Sequence, residues 1–101
     1  NIAGVGQINL NIPQNFSLYQ NYPNPFNPVT KIRFDVSENS SNVKLAVYNT
    51  LGEQVTILVD EALTAGSYEI DFNASSLSSG IYFYRLNAGS FVQTKKMLLI
   101  K

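Results

Sequence analysis

Four carboxylates, Asp60, Glu61, Glu69 and Asp71, and a set of six tyrosines and six phenylalanines are the residues here whose types and spacing bear on chemistry. Paired carboxylates can exchange protons or hold calcium. Calcium, however, asks for about six to eight converging oxygens, and no stretch has the dense Asp/Asn/Gly pattern of a calcium loop. Charges at alternate strand positions read as a solvated face, so no metal site and no catalytic residue are assigned. Histidine and cysteine are absent, which removes the commonest general base, the thiol nucleophile and any disulfide framework. Most enzyme chemistries thereby lose their usual parts, and no cofactor is expected. Most aromatic rings fall on inward strand positions, where they build a core. Tyr48 and Phe83 alone are expected to point outward, a small platform for sugars. Asn15-Phe16-Ser17, Asn39-Ser40-Ser41 and Asn73-Ala74-Ser75 match the glycosylation sequon, a pattern that arises by chance in a chain rich in serine and asparagine.

With 101 residues the chain is one domain by length, and 45% hydrophobic content is enough for a core. Seven basic and seven acidic residues give no net charge, so nothing marks a nucleic-acid partner. No apolar run approaches the ~20 residues of a membrane helix, and membrane insertion is not expected. The chain opens at Asn1 without a methionine or a signal peptide, and is read as a piece of something longer.

The elements that must position these residues are strands. Residues 1–14 show no sustained period and read as a linker, with a short strand at Gln7–Ile12. From residue 15 onward the apolar period is two. Ile32, Phe34 and Val36 point one way in Thr30–Val36, and Lys31, Arg33 and Asp35 the other. Val43, Leu45 and Val47 point inward in Val43–Tyr48. VTILV at 55–59 breaks the alternation at Leu58, which predicts a bulge or cover on both faces. Tyr68, Ile70 and Phe72, and then Tyr82, Tyr84 and Leu86, form two more inward sets. Turns fall at 50–53, at Ala65-Gly66 and at 87–90, and Asn73–Ser79 is a polar connection with one helical turn around Leu77. Turns every ~8 to 12 residues and no long helix predict an immunoglobulin-like antiparallel β-sandwich of about seven strands over 15–101. Leu77, Gly80 and Tyr82 have the spacing of a tyrosine corner, in which the hydroxyl bonds back to the loop before it.

Two stretches stand apart. In Tyr22-Pro23-Asn24-Pro25-Phe26-Asn27-Pro28 the three prolines exclude helix and the middle of a sheet, leaving an edge or a kinked crossing. Tyr22 and Phe26 are its expected anchors, and Asn24 and Asn27 its local hydrogen bonders. The last stretch, Lys95-Lys96-Met97-Leu98-Leu99-Ile100-Lys101, is apolar on both faces. It is either a final strand buried in its own sandwich and capped by lysines, or an edge strand offering one face and a row of backbone groups to a partner.

YPNPFNP at 22–28, KIRFDV, VKLAVYNTLGEQV at 43–55, LVDEALTAGSYEIDF at 58–72, LSSGIYFYRLNAG at 77–89 and TKKMLLIK at 94–101 together resemble, in order and spacing, the type A C-terminal sorting domain of the bacterial type IX secretion system. The resemblance covers residues 15–101. It implies an immunoglobulin-like address label, acted upon by enzymes and not itself one, that passes through the periplasm and is recognised by the outer-membrane secretion machinery. In many relatives a sortase-like peptidase then removes it, and the cargo ends on the cell surface or outside the cell. By position, Tyr22–Pro28 would be the lead-in motif, Gly80, Tyr82 and Tyr84 the structural corner and its strand, and Lys95–Lys101 the motif that engages the machinery, by strand addition. Cleavage would fall before Asn15.

Two other readings fit the residues. One is a structural or adhesive surface module that self-associates through its edge strands, Gly6–Ile12 or the last strand. The other is a carbohydrate-binding accessory domain using Tyr48 or Phe83.

Overall fold

The computed structural model describes residues 6–9 and 11–101. Its strands are β1 (Gly6–Asn9), β2 (Ser17–Leu18), β3 (Val29–Val36), β4 (Ser40–Tyr48), β5 (Gln54–Leu63), β6 (Gly66–Asn73), β7 (Gly80–Ala88) and β8 (Phe91–Leu99), with no helix among the described residues. They form two antiparallel sheets, ordered β1-β6-β3-β2 and β5-β4-β7-β8. The expected all-β sandwich is therefore present: seven of its eight strands, β2–β8, fall within 15–101, where about seven are expected, and the eighth is β1 ahead of them. β2, at two residues, is too short for an alternating signal.

Hairpins β4–β5 and β7–β8 stay within one sheet, whereas the chain changes sheet from β3 to β4, from β5 to β6 and from β6 to β7. This routing faces the inward sets against one another. Ile32, Phe34 and Val36 of β3 and Tyr68, Ile70 and Phe72 of β6 form one layer. Val43, Leu45 and Val47 of β4, Tyr82, Tyr84 and Leu86 of β7, and Met97 and Leu99 of β8 form the other. Each fully buried large apolar side chain contributes about 1.5–3 kcal/mol. Phe34 and Tyr68 stack across β3 and β6 with centroids 5.5 Å apart.

Local chemistry sets the turns. Gly52 has φ 83° and Gly89 φ 58°, values that a side chain disfavours. Gly89 is thus suited to the first position of the two-residue turn between paired Ala88 and Phe91. In β5, Leu45 pairs with Val59 but Ala46 with Ile57, so Leu58 is an extra residue and the bulge expected in VTILV is present.

The fold departs from expectation in three places. The early strand is Gly6–Asn9 and not Gln7–Ile12. The connection around Leu77 holds one turn closed by its amide to the Ala74 carbonyl, without a helix. Asp35 occupies an outward position yet is only 7% exposed. It is covered because Ser67, its partner across β6, donates to it at 2.7 Å and the Tyr19 hydroxyl donates to its other oxygen. The four carboxylates are divided between the sheets, Asp60 and Glu61 on β5 and Glu69 and Asp71 on β6. No group of metal-ligating side chains is found among the described residues.

Candidate functional site

The proline-rich lead-in and the last strand form one structure. β8 pairs with β7 on one side only, so its other backbone edge would be open. Phe26 closes it: its amide donates to the Leu98 carbonyl at 3.0 Å and its carbonyl accepts from the Ile100 amide at 2.9 Å. Asn24 accepts from the Leu98 amide through Oδ1 at 3.0 Å, and Gln20 Nε2 donates to the Lys96 carbonyl at 2.7 Å. The segment therefore makes two isolated bridges, Tyr22 to Lys31 and Phe26 to Leu99, and is not itself a strand. Proline allows this, because Pro23, Pro25 and Pro28 lack only donors that the bridges do not use.

Phe26 is the anchor, 2% exposed and 6.1 Å from Phe72. Tyr22, the other expected anchor, exchanges backbone bonds with Lys31 at 3.0 Å but leaves its ring 80% exposed. Asn24 bonds across to the last strand and not locally, and Asn27 is exposed. At the end of the segment the Pro28 carbonyl accepts from the Ala74 amide at 2.8 Å.

A buried polar cluster fixes the start of the segment. The Tyr84 hydroxyl donates to the Tyr19 carbonyl at 2.8 Å and accepts from the Asn21 amide at 2.7 Å. Burial pushes this hydroxyl up to about 12, against the smaller lowering effect of the Asn21 amide. Asn21 Nδ2 donates to Thr30 Oγ1 at 3.1 Å and to the Pro23 carbonyl at 3.2 Å, and Thr30 Oγ1 donates to the same carbonyl at 2.9 Å. Tyr19 is held above its ordinary value chiefly by its hydrogen bond to Asp35, with burial adding to it. Sequence reasoning misses Tyr19, Gln20, Asn21, Thr30 and Asp35. Period-two patterning is blind to buried polar groups, and the one available signal is that Gln20 and Asn21 directly precede the Tyr22–Pro28 motif.

At the other end Tyr82 donates to the Ser78 carbonyl at 2.8 Å, the geometry of a tyrosine corner. Leu77 packs half-buried against the core, and Gly80 pairs with Leu99. Lys101 is tied to the same loop, its amide bonding Ser79 Oγ at 3.0 Å and its Nζ the Ser75 carbonyl at 2.6 Å. Met97 and Leu99 enter the core, while Leu98 is 37% and Ile100 48% exposed. Leu98 is paired with Ile81, itself 41% exposed. Lys95 pairs with Tyr84 and Lys96 with Phe83. The outward face of β8 and the residue after it thus present Lys96, Leu98 and Ile100 with Ile81 beside them.

Two clefts flank this structure. One, of about 390 Å³, is lined by Tyr19, Gln20, Tyr22, Lys31, Arg33 and Glu69. Lys31 pairs there with Asp71 at 2.7 Å and Glu69 at 3.8 Å, and its ammonium is held above its ordinary value chiefly by the Asp71 hydrogen bond. The other, of about 230 Å³, contains Tyr48 and Phe83, which are cross-strand partners. The Arg85 guanidinium lies 4.5 Å from the Tyr48 ring centroid and donates to its hydroxyl at 2.9 Å, so one face of the expected platform is already occupied.

In chemical terms the cluster is a holding device. Asp35, Asn21 and the Tyr84 hydroxyl each use their hydrogen-bonding groups to fix residues 19–23. The class defined by this fold and site is a β-sandwich module in which a proline-rich lead-in is locked to the last strand. The secretion system C-terminal sorting domain, a family of the type IX system, matches residues 20–101, and the chain belongs to that family. Comparison with curated proteins returns no match. Membership indicates a C-terminal sorting signal, interaction with the type IX machinery, and export to the cell surface or extracellular space.

Proposed function

We propose that the domain is a non-catalytic label that directs an attached cargo from the periplasm across the outer membrane, and that the label spans residues 15–101. The machinery reads the outward face of the last strand, where Lys96, Leu98 and Ile100 stand beside Ile81. One observation carries this reading. The Phe26 bridge to Leu98 and Ile100 occupies the backbone row that strand addition at Lys95–Lys101 would need. Recognition through side chains requires no rearrangement, whereas strand addition requires residues 24–26 to leave. The lead-in motif accordingly presents the last strand and does not touch the machinery itself. The corner of Leu77, Gly80, Tyr82 and Tyr84 holds the other side of that strand. A sortase-like peptidase acts ahead of Asn15, in the segment that carries β1.

The test fuses the chain to a periplasm-directed fluorescent reporter in a bacterium with a working type IX system. Surface signal is compared with that of a twin lacking Lys95–Lys101. Surface display of the full chain alone supports the label. Equal display of both removes the last strand from the recognised surface.

A further inference from the structure

The four sheet edges differ in how they are defended against pairing with another chain. β2 is two residues long. β5 is bulged and carries Asp60 and Glu61. β8 is covered from Lys96 onward by Gln20, Asn24 and Phe26 and carries Lys95 and Lys96. Short length, charge, bulges and cover are the ordinary devices that blunt an edge. β1, with the sequence GQIN, has neither charge nor proline.

The hold of β1 on the sandwich is correspondingly light. It pairs with β6 through Gly6↔Glu69, Gln7↔Tyr68 and Asn9↔Ser67, and this short register is interrupted at Ile8. Gly6, Gln7 and Ile8 are all exposed. Among the described residues it is attached by backbone pairing and by a side-chain seat in which Gln7 Nε2 donates to the Ala65 carbonyl at 3.3 Å over Gly66. Backbone bonds of this kind are the same whether the strand comes from the chain itself or from another copy.

We propose that the outer edge of β6 is a strand-acceptor site that takes β1 from a second copy of this chain, giving a dimer by exchange of Gly6–Asn9. The occupant is identified by the strand already seated there, since a second copy offers the same register and the same Gln7 seat. A two-fold exchange leaves no new unpaired edge. A chain with no net charge also puts no long-range repulsion between copies. The inference is independent of the sorting reading, because β1 lies outside residues 20–101.

Two measurements on the full chain test it. Sedimentation equilibrium from micromolar to millimolar concentration is expected to show the mass rising from one chain toward two. Because the chain has no cysteine, Gly6→Cys and Glu69→Cys can be placed in separate copies, mixed and oxidised. A disulfide joining the two variants is expected at a yield several-fold above that of Gly6→Cys mixed with Thr94→Cys, which lies on the other sheet. A single-chain mass at every concentration overturns the proposal. So does a mixture that yields only Gly6→Cys homodimers, which would mean that β1 pairs with β1.

Discussion

Phe26 lies beside Leu99 in a parallel bridge, the one parallel pairing among the described residues of an otherwise antiparallel sandwich. The lead-in segment thus runs along β8 in the direction of β8. Its two backbone bonds go to the residues on either side of Leu99, the slanted pattern of parallel pairing. This closes the backbone edge and leaves Lys96, Leu98 and Ile100 exposed through their side chains.

The bridge depends on the Phe26 ring, which fills a site against Phe72. Phe26→Ala is expected to lower unfolding free energy by about 3–5 kcal/mol, the range for a buried phenylalanine. Denaturant melts measure this directly. A loss below ~1 kcal/mol would mean that the ring is a cover and not an anchor.

Proline scanning separates the two sides of the last strand. The Leu98 amide faces Asn24, so by strand alternation the Leu99 amide faces β7. Leu98→Pro then removes one partly exposed bond and costs on the order of 1–2 kcal/mol. Leu99→Pro breaks the ladder to Gly80 and costs about 3 kcal/mol or more. Circular dichroism melts should therefore find the first variant folded and the second strongly destabilised, and comparable losses would contradict the assigned edge.

Tyr84 predicts an alkaline limit to stability. Its folded pKa is raised from 10.0 to about 12, so between those values the unfolded chain gives up a proton that the folded one keeps. Stability from this group is complete below the unfolded value and is lost as pH rises through the folded value. The loss is on the order of 2–3 kcal/mol. Tyr84→Phe should flatten this part of the alkaline slope in urea melts taken across the window. It should also cost about 1–3 kcal/mol at neutral pH, because the Tyr19 carbonyl and Asn21 amide lose their partner. An unchanged slope would assign the alkaline limit to other groups.

Asp35 offers a separate titration. Tyr19 is raised chiefly by its hydrogen bond to Asp35, so Asp35→Ala should bring one tyrosine titration down toward the ordinary value. Ultraviolet titration of tyrosinate reads this. The same variant leaves the buried Ser67 hydroxyl without its acceptor, at a cost of roughly 1–3 kcal/mol.

What was legible in the sequence and what was not follows one physical division. Val43, Leu45 and Val47 were legible because a strand buried on one face must alternate, and Leu58 because an extra apolar residue within a strand must bulge. The site is a different matter. Asp35 has the position of a solvated charge, and only the fold shows Tyr19 and Ser67 over it. The prolines at 23, 25 and 28 announced an edge or crossing, but not which edge. That depends on Phe26 meeting Leu99, and a contact between residues so far apart leaves no local period. Asn24 and Lys101 show the same limit, since each bonds a partner on a distant element.

Ile81 gives the sharpest test of side-chain recognition, because it lies outside the terminal motif yet is paired with Leu98 on the outward face. If the machinery reads the backbone of β8, Ile81 is irrelevant. If it reads the exposed apolar face, Ile81→Asp places a carboxylate at its centre. The position is 41% exposed, so the cost should stay on the order of 1 kcal/mol, from lost apolar cover and the poor fit of aspartate to a strand. Surface display of the reporter fusion is then expected to fall to that of the twin lacking Lys95–Lys101, with the domain still folded in melts. Full display would move recognition off this face and return it to the backbone edge, in which case Phe26→Ala, by freeing that edge, should increase display in whatever fraction remains folded.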